Sequence, residues 1–350
     1  MSRRLAWIGI FALAAVVSAY PLPAGAHEAG ATFTQENLVS DQPGVATVTD
    51  PNLVNAWGMS RTATSPIWVS DNGTDVSTLY NGAVNGSPVA IVPLVVSIPG
   101  GAPTGQVSND TSAFVVPGTT TPAHFIFAGE NGDLSAWQGG TAAVAVAHTD
   151  GAVYKGLALA HSAFGPLLLA ANFHDNRIDV FDGQFHPVID SRLFRDRHLP
   201  AGFAPFNVTE IGNQVYVTYA KQDAARHDDV AGQGNGFVDV FTNYGAFVKR
   251  LVTRGQLNSP WGLTIAPANF GVFSGDLLVG NFGNGRIHAY DPESGVLLGT
   301  LLGTNHRPIT IDGLWGLLVG DAGAGGPDAL WFSAGPDGEA HGLLGILRAS

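Results

Sequence analysis

The chain repeats itself at an interval of about 50 residues, and a period of that length restricts a strand-rich sequence to a few repeat architectures. Two stretches align almost residue for residue. One runs Gly156-Leu157-Ala158-Leu159, then Leu167-Leu168-Leu169-Ala170-Ala171-Asn172-Phe173-His174-Asp175-Asn176-Arg177-Ile178-Asp179-Val180-Phe181-Asp182. The other runs Gly262-Leu263-Thr264-Ile265, then Leu277-Leu278-Val279-Gly280-Asn281-Phe282-Gly283-Asn284-Gly285-Arg286-Ile287-His288-Ala289-Tyr290-Asp291. Each reads as a strand, a second strand ending in Asn-Phe, a Gly/Asn turn, and a third strand of alternating character. Weaker copies recur along the chain, so that Trp57, Phe114, Leu157, Phe206, Trp261 and Trp315 mark six units.

Four strands in about 50 residues make one blade of a β-propeller, whose radial repetition leaves only short, protected sheet edges. The last unit supplies strands near residues 314–319, 330–333 and 343–348, one short of four. Residues 32–39 provide the missing strand, and pairing it with the last one locks the ring. The expected fold is therefore all-β: a six-bladed β-propeller of four-stranded antiparallel blades, closed by an N-terminal strand added to the last blade.

Composition agrees with short strands and tight turns: the chain has 46 Gly and 21 Pro, and its 28 acidic residues are 22 Asp and 6 Glu. Without Cys there is neither a disulfide framework nor thiolate chemistry. A formal net charge of −12 with no basic patch speaks against a nucleic-acid partner. At the N-terminus, Arg3 and Arg4 precede an apolar run from Leu5 to about Ala19, and Ala24-Gly25-Ala26 places small residues before His27. That is the order of a secretory signal. Residues 1–26 are expected to be removed. Residues 27–350 then form a single exported domain, periplasmic or extracellular and monomeric, with no membrane anchor.

The segment Ser259-Pro260-Trp261-Gly262-Leu263, with Asn284-Gly285-Arg286-Ile287 and Tyr290-Asp291 behind it, resembles the NHL repeat, and Asn176-Arg177-Ile178-Asp179-Val180-Phe181-Asp182 matches nearly as well. More narrowly, three segments resemble a conserved hypothetical family of secreted bacterial six-bladed propellers. They are Asn37-Leu38-Val39-Ser40-Asp41 to Asn55-Ala56-Trp57-Gly58, Tyr219-Ala220-Lys221-Gln222-Asp223 to His227-Asp228-Asp229-Val230, and Gly234-Asn235-Gly236-Phe237-Val238-Asp239-Val240-Phe241. The resemblance implies a fold and an exported location, and no reaction.

In a blade, the loop entering the first strand and the turn joining the second and third open on the same face. Asn72, Glu130, Asn172 and Asn281 stand at or beside such turns, where they can converge near the axis. Hard oxygen ligands with no sulfur suit Ca²⁺. The same residue types are also what tight turns need for positive φ and side-chain-to-backbone hydrogen bonds. The fourth unit departs from its siblings in the stretch 221–235, which is too long for a hairpin turn and concentrates Lys221, Asp223, Arg226, His227, Asp228 and Asp229. This loop is expected either to project over the channel entrance and contact a ligand or to be a mobile surface excursion held by its own charge pairs. Trp57, Trp261 and Trp315 are candidate ligand-binding residues that can plug the channel.

No Gly-x-Ser-x-Gly, His-Glu-x-x-His or phosphate-loop sequence occurs. Two functions follow. One is a binding module for a protein, glycan or small molecule at the loop face, with a bound cation. The other is a Ca²⁺-dependent lactonase-like hydrolase or lyase at the channel mouth. The first expects a wide or apolar-plugged channel; the second expects several convergent oxygen side chains, at least one of them a carboxylate.

Overall fold

Each repeat unit folds as a short antiparallel meander, because alternating apolar residues end at Gly, Asn or Asp positions that reverse the chain. The computed structural model describes residues 32–350; the signal-like stretch 1–26 lies outside the described residues. Six sheets surround one axis. Their inner strands are Ala56–Ser60, Pro103–Ser108, Tyr154–Ser162, Phe203–Ile211, Pro260–Ile265 and Leu314–Val319, and each packs against the next, the last against the first. These define blades one to six.

Blade six contains the closure that the sequence calls for. Its strands Leu314–Val319, Leu330–Ala334 and Leu343–Ala349 are completed by Phe33–Ser40, which pairs antiparallel with the last strand from Phe33↔Ala349 to Ser40↔Leu343. Phe33 then stacks into the apolar core between blades five and six, against Phe270 at 4.7 Å. Blade three is the irregular one: Tyr154–Ser162, Gly165–Asn172 and Arg177–Phe181 are paired, and its outer edge is only a bridge at Phe181↔Pro187 with Val188 N–H donating to Val180.

The ring closes tightly because the inner strands carry glycine where they meet. A Cβ on Gly105 would stand 2.3 Å from the Leu157 nitrogen, and one on Gly316 would stand 2.8 Å from the Trp57 carbonyl. Gly58, Gly156 and Gly262 occupy the same place in their blades. Blade four has Asn207 instead, and its amide bridges to blade five by donating to the Trp261 carbonyl at 2.8 Å. This alignment corrects two of the sequence anchors. The residues equivalent to Trp57, Trp261 and Trp315 in blades two and three are Thr104 and Lys155, not Phe114 and Leu157. Phe114 sits after the inner strand, buried against Phe185, where it serves the core between blades two and three.

Apolar clusters fill each of the six inter-blade interfaces, and a seventh caps the axis. The interface between blades four and five holds a buried imidazole: His288, 2% exposed, on the strand face it shares with Tyr290, its Nδ1 2.9 Å from the Thr300 hydroxyl. Burial, with Arg286 behind it, lowers the imidazole from its ordinary value to about 4.

Two outcomes are expected. Gly105→Ala destabilises the fold by about 2 kcal/mol in urea unfolding, since backbone surrounds the new methyl group, whereas Gly323→Ala, with only a side-chain oxygen at 3.4 Å, is close to neutral. His288 takes up a proton less readily folded than unfolded, so it contributes stability above about pH 6.5 that is lost as pH falls toward 4, by about 3 kcal/mol at most. His288→Gln flattens that part of the pH profile.

Candidate functional site

The residue preceding the inner-strand glycine, or Asn207 in blade four, is aromatic in blades one, four, five and six, and these four side chains build a plug at the axis. Trp57 stacks on Trp315 at 3.5 Å, Trp261 meets both edge-on, and Phe206 packs on Trp315 at 5.7 Å. Phe282 stacks on the other side of Trp315 at 3.9 Å. The three tryptophans are buried, so their faces close the channel. Below them the axis retains a polar void of about 50 Å³, enough for a few waters.

Blade three breaks the pattern by placing Lys155 in this ring. The Lys155 side chain is 3% exposed and rises past the plug, with Nζ 5.2 Å from the Trp57 ring. Its ammonium donates to Glu130 of blade two and, at 3.3 Å, to Asp228 Oδ1 of the blade-four loop. A buried cation must be paired, and here two carboxylates from different blades do it.

A side-chain network extends outward from that pair. Asn72 donates from Nδ2 to Glu130 Oε2 at 3.1 Å. Asn55 donates to Asn72 Oδ1 at 3.1 Å and to Glu339 Oε2 at 2.7 Å, while its own Oδ1 accepts from Trp315 Nε1. Asn55 holds φ +49°, a left-handed conformation that asparagine tolerates, and this aims its amide at the mouth. His227 Nδ1 lies 2.8 Å from Asp228 Oδ1, and Glu130, His227 and Asp228 each present a ligand atom within 4.8 Å of the others. Blades one, two, three, four and six therefore all contribute.

The carboxyl groups are not equivalent. Burial pushes Glu339 and Asp229 above the usual carboxylate range. Partial burial acts on Asp228 in the same direction, but Lys155 and His227 together outweigh it and hold Asp228 below that range. The mouth thus carries an ionised Asp228 beside two carboxyl groups that keep their protons more readily.

Of the residues singled out in the sequence, Asn72, Glu130, His227, Asp228 and the three tryptophans meet here. The long loop is ordered by its own backbone: Asp223 N–H donates to the Asp228 carbonyl at 2.8 Å and Val230 N–H to Lys221 at 2.7 Å. Gln222 anchors it on blade three through the Phe173 carbonyl. Asp223 caps the turn by accepting from His227 N–H, and Lys221 and Arg226 are exposed on the loop. Asn172 and Asn281 lie elsewhere. The Asn172 amide donates to Asp179 and Asp175 within blade three, and the Asn281 amide donates to the Gln256 carbonyl, which leaves both as turn-forming residues. Asn55, Lys155 and Glu339 were missed as site residues. Lys155-Gly156 in the register of Trp57-Gly58 and Trp315-Gly316 was the available signal.

The chain is 31% identical over 340 residues to one uncharacterized protein of Acanthamoeba polyphaga mimivirus, covering 93% of this chain and 82% of the relative. A second uncharacterized mimivirus protein is 31% identical over 342 residues, 93% of this chain and 88% of that one. The chain belongs to this uncharacterized family. Its relatives are viral, and the bacterial origin implied by the sequence resemblance is not supported. No protein-family model matches, so the NHL likeness rests on the quoted residues alone. Among solved structures, an α-L-arabinanase of Penicillium chrysogenum complexed with arabinobiose superposes with a TM-score of 0.58 at 10% identity, over 91% of this chain and 98% of that one. A structural-genomics protein of unknown function from Bacteroides thetaiotaomicron gives 0.55 at 12% identity, over 92% and 76%. These two share the fold.

Lys155→Met leaves Glu130 without its buried partner and is expected to lower unfolding stability by about 3 kcal/mol or more. Adding Glu130→Gln to that variant restores part of the loss, measured by urea denaturation of the single and double variants.

Proposed function

We propose that the protein is an exported ligand-binding propeller whose loop face holds a small ligand at the Glu130–Lys155–Asp228 centre, with a divalent cation as part of the bound state. The observation that carries this reading is the convergence of Asn55, Asn72, Glu130, Lys155, Asp228 and Glu339 from five blades above an aromatic plug. Binding sites favour such concave positions with a few converging polar groups. Four carboxyl groups, Glu130, Asp228, Asp229 and Glu339, stand against one lysine, which favours cationic or hydroxyl-rich ligands over anions.

Glu130, His227 and Asp228 are the residues that would hold the cation. An imidazole in the set moves the preference from Ca²⁺ toward Mn²⁺ or Zn²⁺. Lys155 already neutralises two of the three, so a bound cation would compete with its ammonium for Glu130 and Asp228. The signal-like residues 1–26 support export, and mass spectrometry of the secreted product is expected to find His27 at its N-terminus.

A second reading has its own support. Carboxyl groups whose acidities are pushed apart are the usual arrangement for a paired general acid and base, and Glu339 and Asp228 are so arranged. In that reading Glu339 donates a proton and Asp228 accepts one in a hydrolase or lyase reaction.

Thermal melting distinguishes the cases. Saturating Mn²⁺ or Zn²⁺ is expected to raise Tm by roughly 5 °C over EDTA, more than Ca²⁺ does, with the rise lost in His227→Ala and Asp228→Asn. No shift with any cation overturns the metal-assisted binding site. Turnover of a lactone or glycoside that disappears in Glu339→Gln selects the enzyme over the binding module.

A further inference from the structure

The irregular outer edge of blade three leaves a second cavity. It measures about 750 Å³ and opens between blades three and four, sharing no residue with the channel mouth. That size lies in the range of small-molecule sites. Its wall is mixed: Ile178, Val188, Leu193 and Leu199 supply an apolar part, charged side chains line the rest, and Tyr219 lines it from blade four. The chain segment that follows Phe181 roofs the cavity instead of forming a full fourth strand.

That roof is held in a fixed place. Phe194 adopts φ +49°, an uncommon conformation for a bulky residue, and is pinned by its N–H to the Gly245 carbonyl at 2.9 Å and by its ring against Phe241. Two residues on, Asp196 pairs with Arg250 of blade four. Backbone strain of this kind persists only where the surroundings over-determine it, and binding clamps are among the places it occurs.

The charges around the cavity are unequal in their pairing. Asp175 and Asp179 are bound by Arg177, Asp190 by Arg192 and Asp196 by Arg250. Arg195 and Arg197 line the same space, are exposed, and have no ion pair or side-chain hydrogen bond among the described residues. In a chain of net charge −12, two unpaired guanidinium groups two residues apart, beside the apolar part of the wall, form a local anion site. Guanidinium forks suit carboxylates and related oxyanions, and the apolar part of the wall suits an apolar body.

We infer that this lateral cavity binds a small organic acid, its apolar part against Ile178, Val188 and Leu199 and its anionic group between Arg195 and Arg197. The site is separate from the proposed ligand centre at the mouth.

Calorimetric titration with naphthoate, and with uncharged naphthalenemethanol as the matched control, tests it on the full chain. One saturable site for naphthoate is expected, with the alcohol at least roughly tenfold weaker. The double variant Arg195→Ala/Arg197→Ala is expected to weaken naphthoate by about tenfold with unchanged melting, because both side chains are exposed and unpaired. Val188→Trp fills the cavity and removes binding of both compounds. Glu130→Gln/Asp228→Asn leaves naphthoate binding intact. Absence of saturable heat overturns the inference, as do equal affinities for acid and alcohol or an unaffected arginine double variant. Loss of naphthoate binding in the Glu130/Asp228 variant also overturns it, by placing the compound at the mouth.

Discussion

The structure depends on how closely its six inner strands approach one another. Where Gly58, Gly105, Gly156, Gly262 and Gly316 face the next blade, no side chain fits between the backbones. Each blade is therefore fixed against its neighbour at the axis, and the residue before each glycine has only the centre of the ring to occupy. Large aromatic groups there fill the channel and bury their area in edge-to-face and stacked contacts. The site above them inherits this rigidity: its side chains come from separate blades, and the blades cannot shift independently.

A ring of this kind also explains the electrostatic character of the mouth. Lys155 takes a position that tryptophan or phenylalanine fills in blades one, four, five and six, so its stem lies in apolar surroundings while its ammonium needs partners. Glu130 and Asp228 supply them. The long blade-four loop is held down at the mouth by that ion pair, by Gln222 and, at its far end, by Gly232 donating to Asn258 Oδ1 and Gly234 to the Leu257 carbonyl. Its two ends are zipped by backbone hydrogen bonds, which limits the chain freedom that a loop of this length would otherwise retain.

The architecture was legible because it is periodic. Alternation within strands, turn residues between them and a missing strand in the last unit are all local signals, and the closure by Phe33–Ser40 followed from counting them. The exact register was less legible: Phe114 is aromatic and near the right interval, yet it belongs to an inter-blade core, while the true axial residue of blade two is the unremarkable Thr104. The candidate site was legible only in part. Asn72, Glu130, His227 and Asp228 stood out through turn and loop chemistry. Lys155, Asn55 and Glu339 did not, because their meaning comes from contacts between blades, which no short segment records. Asn172 and Asn281 illustrate the converse: they share the turn position of a site residue but satisfy their own blade.

The closure strand has a consequence for the making of the protein. Ser40 donates its hydroxyl to the Gly342 carbonyl across a separation of 302 residues. At synthesis rates of about 5–20 residues per second, roughly 15–60 s pass between the emergence of those two partners. Throughout that interval Phe33–Ser40 lacks its antiparallel partner Leu343–Ala349 and has only the short parallel bridge to Val48–Thr49, ahead of a growing open ring. The nascent chain is thus most exposed to mispairing with other copies of itself while five blades are already in hand, and its last act of folding is the one that shields its first-made strand.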